Sequence, residues 1–136
     1  GGYGGGMIYY CAKRAIVFRT EHTVRSLVEK VDFISAAGSC DEKVLRPGGP
    51  SKVITPKAIF RFDKAARCLK LDTVHAPYTI DDIRENTGFD LGDVSDVKTT
   101  PPPTADELRT LRRVIRPKMI ETGTYAAWAE KTVAEV

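Results

Sequence analysis

Two alternating runs on either side of a polar turn limit the possible folds more than any other feature of the sequence. Apolar side chains recur at alternate positions in residues 53–55, 58–62 and 68–74, and Asp63–Arg67 separates the last two runs. This pattern predicts a β-hairpin. Pro56 predicts a break or a sheet edge, because proline cannot donate to a strand ladder. The centre of the chain should therefore be an antiparallel sheet.

The preceding segment is typical of an α/β unit. The β-branched and aromatic run at 15–20 predicts a buried strand, and the alternating residues 31–35 predict a second one. Between them, Thr23 is a suitable N-cap for a short helix with Leu27 on its apolar face. A strand, a helix and a second strand in this order usually join parallel neighbours. The predicted class is thus α/β, an open sheet with flanking helices and a hairpin region.

Two threonines mark the starts of later helices. Thr79 is followed three residues later by Asp82, and Thr104 is followed by Glu107 at the same spacing. In such a capping box the threonine and the acidic side chain each accept a hydrogen bond from a backbone amide at the helix start. Gly88 is expected to end the first helix at its C′ position.

The C-terminal part is expected to consist of helices. The second of the capped helices should stop before Pro117, since the residue that precedes a proline disfavours helical geometry. Gly123 then separates it from a weakly amphipathic stretch at 125–133. The length predicts a single domain over 1–136, in which 117–136 is a C-terminal extension.

Several classes of protein are excluded by what the sequence lacks. No run approaches the roughly 18–20 apolar residues that cross a membrane, and no signal peptide opens the chain, so we expect a cytoplasmic protein without a membrane partner. Cys11, Cys40 and Cys68 are odd in number and contain no C-x-x-C pair, which argues against a disulfide framework and a metal site. The arginines of 109–116 alternate with apolar residues, so we expect no nucleic-acid partner.

Positive charge is concentrated in the N-terminal half. Residues 1–70 contain 13 Lys and Arg against 6 Asp and Glu, whereas residues 71–136 contain 8 against 12. A positive half beside a glycine cluster suits an anionic ligand such as a phosphate-bearing cofactor. Cations spread over this length are more often a solvated surface, and both interpretations stay open.

The glycine cluster Gly1–Gly6 is the segment whose composition most needs an explanation. Glycine lets a backbone approach a ligand closely and turn its amides toward a phosphate or a developing oxyanion. The cluster lacks the Lys-Ser/Thr of a P-loop and the spacing of a dinucleotide fingerprint. A linker or a tag remnant explains the same composition, so composition alone does not decide.

Other candidate residues have ordinary explanations. Cys40 lies in a turn-rich segment where a thiol could react, but the sequence supplies no base for it. His75 follows a predicted strand at a position where catalytic groups occur, yet such a histidine is more often structural. Asp81, Asp82 and Glu85 fall on a short helix whose carboxylates are normally solvated. None of these residues defines a reaction.

A series of separated motifs follows one order along residues 1–116. The motifs are Ala12-Lys13-Arg14 after the glycines, Phe33 within 31–34, Gly48-Gly49-Pro50-Ser51, Val53-Ile54-Thr55, Phe60-Arg61-Phe62-Asp63, His75-Ala76-Pro77-Tyr78-Thr79, Arg84–Phe89 and Pro101–Leu108. In this combination the chain resembles the β subunit of family I CoA-transferases, of the glutaconate and 3-oxoacid CoA-transferase type.

The resemblance implies a CoA-transferase-like fold, a partner α subunit, and coenzyme A as a cosubstrate rather than a permanently bound cofactor. In that family a glutamate attacks the thioester of an acyl-CoA, and a glutamyl-CoA thioester then passes CoA to a carboxylate acceptor in ping-pong order. Two alternatives stay open. One is a CoA-thioester or C–C bond hydrolase of the same family, of the steroid-ring-degrading type, and the other is a noncatalytic assembly module.

The resemblance also implies roles for the glycine cluster. The family's glycine-rich loop supplies backbone amides to the oxyanion and lies against CoA, and the matching segment is Gly2-Tyr3-Gly4-Gly5-Gly6. Gly4 and Gly5 are therefore expected to be the catalytic oxyanion amides. Gly2, Tyr3 and Gly6 are expected to contact the cosubstrate.

The family's nucleophilic glutamate lies upstream of the glycine loop, so the resemblance places it outside this chain. Glu85 is not that residue, because the family carries the segment 84–89 in addition to the nucleophile. We therefore expect the chain to be about the C-terminal half of a β subunit, inactive by itself. Its expected partners are an α subunit and the missing N-terminal part of the β subunit, with an acyl-CoA and a carboxylate acceptor as substrates.

Overall fold

The computed structural model describes residues 5–41, 43–123 and 125–134. The chain divides into two units, with the boundary between Thr100 and Pro101. The first unit contains, in order, α1 (Gly5–Cys11), β1 (Ala15–Phe18), β2 (Pro50–Ile54), β3 (Ala58–Asp63), β4 (Cys68–Val74), α2 (Ile80–Glu85) and β5 (Lys98–Thr99). The second contains α3 (Ala105–Thr110), a π-helical segment (Leu111–Ile115), α4 (Arg116–Glu121) and α5 (Ala126–Ala134). None of the described helices is both long and apolar enough to cross a membrane.

The predicted hairpin forms the centre of a five-stranded sheet with the order β1-β2-β3-β4-β5. β3 pairs antiparallel with β2 and β4, whereas β1 is parallel to β2 and β5 is parallel to β4. The Asp63 carboxylate accepts hydrogen bonds from the Ala65 and Ala66 amides at 3.0 Å and so stabilises the β3–β4 turn. Pro56 lies in the β2–β3 connection, where a break was predicted. The α/β class with an open sheet and flanking helices is confirmed.

The core of the first unit forms where α2 packs against the hairpin. Ala58 and Phe60 of β3 pair with Val74 and Leu71 of β4 and share a cluster of buried side chains with Ile83 of α2. Phe60 and Ile83 are the largest fully buried side chains among the described residues. Full burial of an apolar side chain of this size contributes roughly 1.5–3 kcal/mol, and this pair therefore fixes the hairpin to α2.

The connection between β1 and β2 differs from the prediction. Residues 23–27 form a single turn instead of a helix, because the Ser26 hydroxyl donates to the Thr23 carbonyl at 3.1 Å and competes with helix continuation. Residues 31–35 form no strand, and Phe33 is 62% exposed. The parallel partner of β1 is therefore β2, from much farther along the chain.

β1 itself is a strand, but it is not buried as predicted. Ile16 and Phe18 are 58% and 52% exposed. The reason is its place at the edge of the sheet, where it pairs with β2 alone. A run of β-branched residues indicates a strand but does not tell an edge from a centre.

Helix α2 begins at its predicted capping box but ends earlier than predicted. Thr79 Oγ1 accepts from the Asp82 amide at 3.2 Å, and Asp82 Oδ2 accepts from the Thr79 amide at 2.7 Å. The C-cap is Asn86, so Gly88 is not the C′ residue. The Gly88 amide instead donates to the Leu27 carbonyl oxygen at 2.7 Å, and a Cβ at residue 88 would lie 2.7 Å from that oxygen. This glycine therefore permits a close approach of two backbones.

The predicted helix stop at Pro117 is also wrong. The capping box of Thr104 and Glu107 is present, but the helix continues through the π-helical segment into α4, with Pro117 in the first turn of α4. The Arg116 amide donates to the Leu111 carbonyl, five residues back. Proline would break a regular α-helix here, because it lacks an amide and its ring clashes with the carbonyl four residues back, but the π-helical segment directly before it has already interrupted the i→i−4 pattern. Gly123, with φ +72°, separates α4 from α5 as predicted.

Candidate functional site

The predicted glycine loop is only partly within the described residues. Gly2, Tyr3 and Gly4 lie outside them, so the roles expected of these residues stay predictions. Gly5 and Gly6 begin helix α1. A Cβ on Gly6 would lie 3.2 Å from the Ser35 carbonyl oxygen, so α1 starts in close contact with a second backbone.

The other end of α1 is fixed by the Gly48-Gly49 motif. The Gly48 amide donates to the Tyr10 carbonyl at 3.0 Å, and the Gly49 amide donates to the Ala12 carbonyl at 3.3 Å. These two bonds satisfy carbonyls that the end of a helix leaves without partners. A Cβ on Gly48 would lie 1.8 Å from the Ala12 oxygen, which no side chain could accommodate. The motif therefore anchors the helix that follows the glycine loop.

A cavity of about 270 Å³ lies beside α1. Two aromatic rings, Tyr10 and Phe62, form part of its wall, and the cationic side chains Arg46, Lys64 and Arg67 form another part. No acidic residue is among the described residues that line it. The cavity is thus a positively charged recess next to the helix that carries the glycine loop.

Arg46 is the most constrained of these cations. Its guanidinium carbon lies 4.0 Å from the centroid of the Tyr10 ring, in cation–π geometry. Its Nη1 atom is buried and, among the described residues, has no hydrogen-bond partner. In the sequence, Arg46 is only one of thirteen dispersed cations and was not predicted as a site residue. The sequence feature that could have identified Arg46 as a site residue is its position just before the Gly48-Gly49 motif.

His22 lies at the centre of a buried polar network. Its Nδ1 is 2.8 Å from Thr55 Oγ1 and its Nε2 is 3.1 Å from Thr87 Oγ1. The Thr55 hydroxyl donates to the Ala58 carbonyl at 2.9 Å, so it accepts from His22 Nδ1–H, and Nε2 accepts from the Thr87 hydroxyl. Burial, followed by the charges of Lys57 and His75, lowers the pKa of His22 to about 4. The ring is therefore held neutral.

His75 is also hydrogen-bonded within the fold through both of its ring nitrogens. Its Nε2–H donates to the Thr55 carbonyl oxygen at 3.1 Å, and its Nδ1 is 2.7 Å from Thr100 Oγ1. Both histidines of the chain thus hold Thr55, one through its hydroxyl and the other through its carbonyl. They fix the β2–β3 connection and do not meet at a reactive centre.

The remaining candidates are dispersed. Cys40 lines the cavity, but its thiol donates to the Val44 carbonyl at 3.6 Å and no histidine is among the described lining residues. Asp82 is used in the capping box, where hydrogen bonds from Thr79 lower its pKa. Asp81 forms an ion pair with Arg84, and Glu85 is exposed. The structure therefore brings together α1, Arg46 and the cavity, and leaves these carboxylates on the surface of α2.

Known proteins resemble the chain in sequence. No family model matches it. The β subunit of glutaconate CoA-transferase from Acidaminococcus fermentans is 31% identical over 108 residues, which cover 74% of this chain and 40% of that protein. The cholesterol ring-cleaving hydrolase IpdB subunit of Mycobacterium tuberculosis is 30% identical over 103 residues, which cover 73% of this chain and 41% of that protein. The chain thus spans about two fifths of the length of these relatives.

Two solved structures share the fold. Glutaconate coenzyme A-transferase from Acidaminococcus fermentans superposes with a TM-score of 0.72 at 29% identity, over 87% of this chain and 47% of that chain. Rhodococcus jostii IpdAB superposes with a TM-score of 0.70 at 26% identity, over 77% of this chain and 44% of that chain. The mixed sheet with its flanking helices is therefore the CoA-transferase fold. Within that fold, the chain belongs to the family I CoA-transferases, as a homologue of the glutaconate CoA-transferase β subunit.

Proposed function

We propose that the chain is part of a cytoplasmic acyl-CoA:carboxylate CoA-transferase that also contains an α subunit. The observation that carries the proposal is the 31% identity to a CoA-transferase β subunit over 108 residues. The anchoring of the C-terminal end of α1 by the Gly48-Gly49 motif supports it, because this helix begins with Gly5 and Gly6 of the glycine cluster. Preorganised amides stabilise an oxyanion far better than mobile ones do.

In the proposed reaction a glutamate from outside this chain attacks the thioester carbonyl of an acyl-CoA. The thiolate of CoA leaves and an acyl-glutamyl anhydride forms; the thiolate then attacks the glutamyl carbonyl and releases the first carboxylate. The acceptor carboxylate repeats these steps in reverse and leaves as its CoA thioester. Gly4 and Gly5 donate backbone amides to the oxyanion, and Gly2, Tyr3 and Gly6 lie against CoA. The chain by itself is inactive because it lacks the nucleophile.

The reaction class is tested with the assembled complex, an acyl-CoA donor and an isotopically labelled free carboxylate. We expect the label to enter a new CoA thioester, with the donor acid released in equal amount. Borohydride should trap the glutamyl thioester when acyl-CoA alone is added. Release of free CoA without any labelled thioester would contradict the transferase proposal.

A hydrolase is the second candidate function. The specific observation in its favour is the 30% identity to a ring-cleaving hydrolase subunit, which is close to the 31% identity to the transferase subunit. In this alternative the glutamate activates water, and no acceptor carboxylate is needed. Formation of product in the absence of any acceptor, with incorporation of solvent oxygen, would favour it.

The role of the glycine loop is tested by replacing Gly4 and Gly5 with valine in the assembled complex. We expect each single substitution to lower kcat by about 100-fold, the effect of losing one oxyanion donor, because a β-branched side chain displaces the amide of its own residue. Gly92→Ala is the control for destabilisation alone, since its φ of +67° strains an alanine while the Cβ meets no other atom and the residue is outside the loop. Full activity of both loop variants would leave the noncatalytic module as the better interpretation.

A further inference from the structure

We infer that the cavity beside α1 is a binding site for a phosphate group, which Arg46 holds together with Lys64 and Arg67. The inference rests on the described side chains and does not depend on the proposed transferase reaction. It assigns a ligand to a part of the molecule that neither the glycine loop nor the histidine network uses.

The charge of the cavity favours an anion. Arg46, Lys64 and Arg67 line it, and none of them forms an ion pair among the described residues. The neighbouring carboxylate, Asp63, is already engaged at 2.8 Å by Lys70, which lies outside the cavity. Three cations with no acidic partner in this part of the structure raise the local concentration of anions and attract a doubly charged group most strongly.

The geometry of Arg46 favours a phosphate in particular. The Tyr10 ring lies 4.0 Å from its guanidinium and fixes the plane of the group. Arg46 also lines the cavity, so its fixed side chain is available to a ligand there. A planar guanidinium fork matches two oxygens of a phosphate, and a fixed side chain loses less entropy when it binds one.

The size of the cavity limits what enters it. Its volume of about 270 Å³ is slightly below the range of roughly 300–1,000 Å³ that holds drug-sized ligands. It therefore accepts a phosphate and the few atoms attached to it rather than a whole nucleotide cofactor. Tyr10 and Phe62 offer apolar contact to those attached atoms.

Calorimetric titration of the full chain tests the site, with inorganic phosphate and adenosine 3′,5′-bisphosphate as probes. We expect Arg46→Gln to weaken binding of the better probe by at least about 10-fold, equivalent to about 1.4 kcal/mol. Arg25→Gln removes the same charge from an exposed residue outside the cavity and should change Kd by less than about twofold. Tighter binding of the bisphosphate would indicate the phosphate of a nucleotide, and equal binding would indicate a free phosphate group.

A second variant, Lys64→Gln, tests the same site if Arg46→Gln does not fold. Lys64 is exposed on the β3–β4 turn, so Lys64→Gln should leave the fold intact and weaken binding by about threefold. Binding should also weaken steeply with added salt. Absence of binding to the native chain, or equal Kd values for the native chain, Arg46→Gln and Lys64→Gln, would overturn the inference.

Discussion

Gly48→Ala is expected to lower the free energy of unfolding by about 3–5 kcal/mol. A Cβ at this position would lie 1.8 Å from the Ala12 oxygen and 2.7 Å from the Tyr10 oxygen. Both obstacles are backbone atoms, so no side-chain rotation can relieve the overlap. The loop must move away from α1, and the bonds from Gly48 to Tyr10 and from Gly49 to Ala12 are lost with it. For a domain with a usual total stability of about 5–15 kcal/mol, this is a large fraction.

Urea unfolding of the purified chain measures this loss, and hydrogen exchange of the α1 amides shows where it acts. Gly92→Ala serves as the comparison, because residue 92 has φ +67° but open space around its Cβ. That variant adds only backbone strain, of roughly 1–2 kcal/mol. Equal stabilities of Gly48→Ala and the native chain would mean that α1 is not anchored as described.

Acidification from pH 6.5 toward pH 4 is expected to lower the stability of the first unit by up to about 3 kcal/mol. Burial of His22, with the nearby charges of Lys57 and His75, lowers its pKa from 6.5 to about 4. In this interval the unfolded chain binds a proton at residue 22 and the folded chain does not. Stability therefore rises with pH between the folded and unfolded pKa values of His22. Above the unfolded pKa the ring is neutral in both states, and His22 no longer makes stability depend on pH.

The pH dependence is measured by urea unfolding at intervals from pH 4 to pH 7.5, for the native chain and for His22→Gln. Glutamine keeps an amide that can donate to Thr55 and accept from Thr87, but it does not titrate. In this pH range the unfolded native chain binds up to one proton more than the folded chain does. We expect that difference to be smaller by up to one proton in His22→Gln, so the stability of the variant should depend less on pH. An unchanged slope would show that His22 is not the group responsible.

The parts of the fold that local residues encode could be predicted from the sequence. A capping box needs only four consecutive residues, and the boxes at Thr79 and Thr104 are both present. The β3–β4 hairpin needs a short turn, and its strands were placed correctly. In contrast, the alternation at 31–35 predicted a strand beside β1, but β1 pairs with β2 instead. The alternation of residues within one segment does not determine which distant segment it pairs with.

The candidate site was harder to predict for the same reason. The glycine cluster and the Gly48-Gly49 motif are visible in the sequence, but the contact between α1 and that motif is made across more than thirty residues. The cavity needs α1, Arg46 and the turn after β3 to come together. Its local signals were the position of Arg46 just before the Gly48-Gly49 motif and the excess of positive charge in residues 1–70, which an ordinary surface also produces.

The π-helical segment 111–115 sets the rotational phase of everything that follows it in the second unit. A π-helical turn closes its hydrogen bond over five residues instead of four, so the segment holds one residue more than an α-helical turn does. Deletion of one residue from 111–115 would therefore remove the wide turn and leave the half-buried Met119 and Ile120 facing as they do now, whereas insertion of one residue would turn them by about 100°. The wide turn thus absorbs an extra residue without changing the direction in which the side chains of α4 face.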